Sequence, residues 1–151
     1  MRRMLGWGGL VLFVAVNLGA CASAGTSAPT APSLYRRLGG REGIAIVVGD
    51  FTANMVADAR VNERFKGMKP PEVEKLKSNL SDQICEAAGG PCSYLGKDMK
   101  TAHAGMKITE AEWNATVENL VKALDKNNVP AQTKQELLGA IAPMKGDIVG
   151  R

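Results

Sequence analysis

The sequence holds a single histidine, His103. It follows the run Gly89-Gly90-Pro91-Cys92-Ser93-Tyr94-Leu95-Gly96-Lys97-Asp98-Met99-Lys100-Thr101-Ala102. The double glycine ends one helix, a loop follows, and a short second helix, over about 97–104, carries the imidazole. A neutral imidazole is the usual lone protein ligand of haem iron where the rest of the pocket is apolar. The lack of a second histidine excludes a two-histidine zinc site and a His-x-Glu deaminase signature, and it leaves no clear Ser-His-Asp set. The competing reading of one histidine is a surface residue, or a core residue that has found a hydrogen-bond partner. The surrounding sequence has to decide between them.

The elements that would position His103 read as helices from Leu34 onward, with no alternating strand pattern of useful length. A short leading turn at 34–38 is cut off by Gly39-Gly40. Over 41–58, Ile44, Val47, Val48, Phe51 and Met55 recur at helical spacing. A turn-rich stretch with Val61 and Phe65 follows. Pro70-Pro71 then opens a helix, since proline suits a first helical turn. Val73, Leu76, Leu80, Ile84 and Ala87 share one face of it, and Gly89-Gly90-Pro91 ends it. After the histidine, Thr109-Glu110-Ala111-Glu112 forms a capping box for a long helix with Trp113, Val117, Leu120, Val121 and Leu124 on its apolar face. The last helix uses Leu137, Leu138, Ile141, Met144 and Ile148. Pro143 lies inside it and predicts a kink. Four substantial amphipathic helices and two short ones must bury their faces on one another. The expected class is all-α.

The chain begins Met1-Arg2-Arg3 and continues through the apolar run Leu10-Val11-Leu12-Phe13-Val14-Ala15-Val16 to Leu18-Gly19-Ala20-Cys21. A positive start and a short apolar stretch read as an export signal, too short for a good transmembrane helix. Leu18-Gly19-Ala20-Cys21 resembles the lipobox of bacterial lipoproteins, in which cleavage leaves the cysteine as the lipid-bearing first residue. A plain signal peptide or an uncleaved anchor is the alternative. The expected organisation is a leader at 1–20, a flexible Ala/Ser/Thr/Pro-rich tether at 21–33 and a folded domain at 34–151. Such a chain would be exported and held by lipid at a membrane, facing the periplasm or the cell exterior. Loss of Arg2 and Arg3 lowers the net charge from +4 to +2. With no basic helix interleaved with aromatics, nucleic acid is not an expected partner. Cys85 and Cys92 remain as an even pair in an oxidising compartment. A disulfide between them would stabilise by roughly 2–3 kcal/mol in the chain-entropy model; two free buried thiols are the alternative.

Several stretches together resemble a group 1 truncated haemoglobin. Leu34-Tyr35-Arg36-Arg37-Leu38-Gly39-Gly40 is similar to the family's opening, and Val47-Val48-Gly49-Asp50-Phe51 to its first long helix. Gly89-Gly90-Pro91, Tyr94, Met99 and His103 fall at the family's spacing, as do Ile108-Thr109 and Ile141-Ala142-Pro143. The resemblance spans about 34–148. It implies a two-over-two helical sandwich around haem b (iron protoporphyrin IX), with His103 as the proximal iron ligand. It further implies Phe65 against the haem face, Leu76 and Leu80 on the distal side, Phe51 near the distal pocket and Met99 near the proximal face. Lys75 and Lys100 become the expected cations for the haem propionates. A Cys85–Cys92 bridge would steady the helix of His103 and help retain haem.

One departure has a chemical consequence. The family usually has tyrosine directly after the Asp-Phe pair, as a donor to the bound gas; this chain has Thr52. Where the family often adds a distal glutamine, it has Leu80, with Gln83 or a water as substitutes. Dioxygen at a haem iron carries partial negative charge, and a charge-assisted hydrogen bond to it is worth about 1.5–3 kcal/mol. Faster oxygen loss, easier autoxidation and weaker discrimination among O2, CO and NO are therefore expected. The first functional expectation is reversible binding of a diatomic gas. The alternative is a haem enzyme for NO dioxygenation or peroxidase-like chemistry. It would need an external reductase, since no flavin or nicotinamide motif is present, and the distal side has no evident acid–base residue. A haem-free helical lipoprotein is the third reading.

Overall fold

The computed structural model describes residues 31–151; the leader and most of the tether lie outside the described residues. Seven helices follow in order: α1 (Leu34–Arg37), α2 (Gly40–Ala57), α3 (Pro70–Ala87), α4 (Met99–Ala102), α5 (Glu110–Lys126), α6 (Ala131–Ile141) and α7 (Lys145–Ile148). Two 3₁₀ turns, Asn62–Phe65 and Ala142–Met144, link them. Helix α2 packs against α3 on one side and α5 on the other, and α3 also meets α6, giving two helices over two. Among the described residues no helix is long and apolar enough to cross a membrane.

Helix α2 starts where Gly39 and Gly40 adopt positive φ, a conformation that glycine takes at little cost. Gly43 is set by a close approach: a Cβ there would lie 2.2 Å from the Leu38 carbonyl oxygen. Ile44, Val47, Val48, Phe51 and Met55 are all buried, as their spacing predicts. Helix α3 opens on Pro70, and the Glu72 carboxylate accepts the Lys69 N–H at 2.7 Å. It ends with Gly89 at φ 73° and the Gly90 N–H donating to the Cys85 carbonyl at 2.8 Å, which satisfies a carbonyl the helix would leave open. Tyr35 of α1 donates its N–H to Ala88, so the short first helix rests on that end.

Two elements depart from the expected pattern. The stripe of α5 buried most deeply is Ala115, Asn119, Leu120, Ala123 and Leu124, with Trp113, Val117 and Val121 only partly buried. Alanine lets two helix backbones approach, so the contact line follows the small side chains rather than the large ones. Asn119 is buried because its side chain donates to Asp58 at 2.8 Å while its carbonyl accepts from Asn54 at 3.1 Å. At Pro143 the chain does more than kink. Helix α6 ends, a 3₁₀ turn carries the proline, and α7 begins afresh. Proline has no N–H for the α ladder, and the shorter-range turn accommodates that.

The chain beyond α7 returns to the segment after His103. Gly150 donates its N–H to Ile108 at 2.9 Å, Lys107 donates to Arg151, and Ile108 and Val149 form a parallel bridge. Helix α4 is only four residues long, and α7 is the helix it packs against. The element that carries the lone histidine is thus small and held from outside.

Candidate haem site

Between α3, α5, the Asn62–Phe65 turn and α4 lies a cavity of about 380 Å³. Phe51, Thr52, Phe65, Leu76, Leu80, Met99 and His103 are brought together on its wall. All five methionines among the described residues concentrate here. Met55, Met68, Met99 and Met106 line the wall, and the Met144 sulfur lies 3.6 Å from the amide nitrogen of Gln83, a lining residue.

His103 caps the C-terminus of α4. Its Nδ1 lies 2.8 Å from the Met99 carbonyl oxygen. A carbonyl can only accept, so Nδ1 is the donor, and in the neutral imidazole that tautomer leaves the lone pair on Nε2. Among the described residues no group of three or more His, Cys, Asp or Glu could hold a metal ion. A bare metal ion needs three or four protein donors. One imidazole in a mostly apolar cavity instead fits an iron whose other equatorial ligands arrive with their own macrocycle. The residues present therefore fit haem. Asp98 caps the front of α4, its carboxylate accepting the Thr101 N–H at 2.9 Å, and those Thr101 contacts hold its pKa below the usual range.

The polar groups of the wall are mostly committed. Thr52 is buried, and its hydroxyl donates to the Val48 carbonyl of its own helix at 2.8 Å. Thr116 does the same with Glu112 at 2.8 Å. The Gln83 amide donates to the Met99 sulfur at 3.2 Å, toward the helix of His103. Tyr94 donates to the Lys97 carbonyl at 2.7 Å, and burial raises its pKa. The sulfurs of Cys85 and Cys92 are joined, with their Cα atoms 5.8 Å apart. That bond links the end of α3 to the loop leading into α4.

The two expected propionate cations do not stand on the cavity wall itself. Lys75 and Lys100 are both exposed and neither lines the cavity. Lys75 precedes Leu76 by one residue, a rotation of about 100° around the helix, which turns it away from the wall Leu76 occupies. The cation on the wall is Arg64. Its Nε donates to Glu112 at 2.7 Å and its Nη1 to the Met106 carbonyl at 2.7 Å.

The family profile of bacterial-like globins matches residues 33–149 of this sequence. The chain belongs to the bacterial-like globin family. This globin is 35% identical to the group 1 truncated haemoglobin of Mycolicibacterium paratuberculosis, over 77% of this chain and 83% of that one. It is 30% identical to the group 1 truncated haemoglobin of Tetrahymena thermophila, over 80% of this chain and 97% of that one. The ferric crystal structure of the Tetrahymena pyriformis truncated haemoglobin superposes with a TM-score of 0.74 at 28% identity, covering 80% of this globin and all of that chain. The two-over-two arrangement is the truncated-globin fold.

Sequence reading of this globin missed Arg64 and Glu112 as parts of the site. Glu112 is legible as the N3 residue of a capping box. Its carboxylate accepts the Thr109 N–H at 2.8 Å, and the Thr109 hydroxyl accepts the Glu112 N–H at 3.2 Å. The same carboxylate also receives Arg64. Arg64 first, and then the Thr109 N–H, lower the Glu112 pKa to about 2. A carboxylic acid held ionised in this way is a poor proton donor near neutrality, so its presence on the wall does not favour peroxidase-like chemistry.

The sign of that shift fixes a pH dependence. The folded pKa lies below the ordinary 4.5, so the stabilisation is fully present above pH 4.5 and is lost as pH falls toward 2. Glu112→Gln keeps a capping side chain but loses the charge. We expect Glu112→Gln to unfold at lower temperature than the parent at neutral pH, with the gap closing as pH drops to about 2.5. Thermal unfolding across that range checks it, and a gap independent of pH would contradict it.

Proposed function

We propose that this globin holds haem b through His103 and reversibly binds O2, CO or NO, from an exported position anchored to a membrane by lipid at Cys21. The observation that carries the haem reading is the Nδ1 contact of His103 with the Met99 carbonyl, which occupies one ring nitrogen of a histidine that lines a cavity walled mostly by apolar side chains. Membership of a family with truncated haemoglobins as relatives supports the same reading. The cysteines support haem b over a haem attached through cysteine. The sequence has no Cys-x-x-Cys-His motif, and Cys85 and Cys92 are bonded to each other. When bound, the haem iron supplies an open coordination position for a diatomic gas.

The chain's own residues do the rest. His103 would hold the group, with the Met99 carbonyl fixing the tautomer. Phe65 offers a flat aromatic face, and Leu76, Leu80 and Phe51 keep water out of the distal side. Arg64 stands on the wall paired with Glu112, and the exposed Lys75 and Lys100 remain the cations offered to the propionates at the rim. Thr52 contributes no proton, because its hydroxyl is spent on Val48. The sequence has no flavin or nicotinamide motif, so reduction of a bound iron would need an external reductase. Export and lipid attachment at Cys21 rest on the sequence pattern of residues 1–21, which lies outside the described residues.

Three experiments test these points. The absorption spectrum of the purified protein, ferric, reduced and with CO, should show a Soret band and a ferrous–CO shift that vanish in His103→Ala. A colourless protein that takes up no added haem overturns the haem reading. Thr52→Tyr adds a distal donor worth about 1.5–3 kcal/mol and should slow O2 dissociation about 10- to 150-fold in stopped flow; an unchanged rate removes the account of Thr52. In cells fed a labelled fatty acid, the parent should carry label and fractionate with membranes, and Cys21→Ala should do neither. Label retained by Cys21→Ala would exclude that anchor.

A further inference from the structure

The segment that follows His103 is tied down by three kinds of contact. The Met106 N–H donates to the His103 carbonyl at 3.1 Å. The chain around Gly150 and Arg151 bonds to Ile108 and Lys107. The third contact joins lining residues of the cavity. Arg64, from the turn that ends in Phe65, donates to the Met106 carbonyl and to Glu112 at the start of α5. Arg64 therefore spans from the wall that offers Phe65 to the backbone three residues beyond the histidine. Its chemistry suits the task. A guanidinium is a rigid fork that can serve a carboxylate and a carbonyl at once, whereas an ammonium is a single charge on a flexible stem.

We infer that Arg64 is a positioning residue for His103: by latching the Phe65 turn to the Met106 carbonyl and Glu112, it sets where the imidazole stands in the cavity. This inference rests on the haem reading for its consequence but not for its geometry. Helix α4 is a single turn, and its own hydrogen bonds do little to fix its place. Disulfide Cys85–Cys92 secures the loop before it, and Arg64 secures the segment after it. Cutting the latch should leave the helix layers intact, because α2, α3 and α5 pack without it.

The test compares the full chain with Arg64→Met, Arg64→Lys and Glu112→Gln, with and without haem. In the haem-free protein, amide hydrogen exchange over 103–108 should speed up in Arg64→Met while exchange in α2 stays unchanged. In the haem-loaded protein, transfer of haem to an excess of haem-free acceptor globin should accelerate at least about fivefold, as expected for losing hydrogen bonds to a charged group. The iron–imidazole band in the resonance Raman spectrum of the ferrous protein should shift or broaden in Arg64→Met, an effect that a purely structural role elsewhere would not produce. Arg64→Lys should recover part of each effect, and Glu112→Gln should show a smaller one. Unchanged exchange over 103–108 overturns the latch. An unchanged iron–imidazole band in the loaded protein overturns the positioning role. A protein that takes up no haem defeats the haem reading, and hydrogen exchange then still decides whether the latch exists. If Arg64→Met does not fold, Arg64→Lys and Glu112→Gln carry the same comparison.

Discussion

An imidazole has two nitrogens and, when neutral, one proton, and the Met99 carbonyl decides which nitrogen keeps its lone pair. That hydrogen bond spans one helical turn, from Met99 to His103, so it needs α4 to form and to be stopped there. Asp98 starts the turn and Gly105, at positive φ, follows it. Everything else about the site can be read as support for this arrangement. His103 lines the cavity, and the chain has no second imidazole to compete with it.

The support divides into a tight part and a tied part. Helices α2, α3 and α5 meet through fully buried side chains such as Ile44, Val48, Ala115 and Leu124, and interiors of that kind tolerate little change of volume. The cavity wall nearest His103 is different. It is built from a 3₁₀ turn, a loop, a single helical turn and a returning chain end, none of which buries enough surface to stand alone. Each is fixed by a discrete crosslink: Arg64 to Met106, Cys85 to Cys92, Gly150 to Ile108. Rigid layers thus set the size of the cavity, and point contacts set the position of the histidine in it.

This division also explains what was legible beforehand. The stripe from Ile44 to Met55, the proline start of α3 and the capping box at Thr109 follow from periodicity and local rules, and each is present where those rules put it. His103 and its apolar neighbours were legible through resemblance and spacing, and the structure brings them to one wall. Arg64 was not, because a charged residue in a short turn has no periodic signal and its partners lie more than 40 residues away. Lys75 sits one position before Leu76, about 100° around the helix from the face that lines the cavity, so nearness in sequence did not put it on the wall. The Ala115–Ala123 contact line was missed for a related reason: reading for large apolar side chains finds the flanks of a close helix contact, not its centre.

The methionines give the cavity a mechanical character of its own. A wall of branched or aromatic side chains has one shape; an unbranched thioether has three rotatable bonds and a soft, polarisable sulfur. With four such chains on the wall and a fifth against Gln83, the cavity can remould itself around a flat guest by turning side chains while the helices stay put. The same sulfurs are the most readily oxidised apolar groups available, and sulfoxide is polar where thioether is not. A wall that adapts in this way is therefore also one that ages: each oxidation would exchange a compliant, oily surface for a wet one beside the histidine.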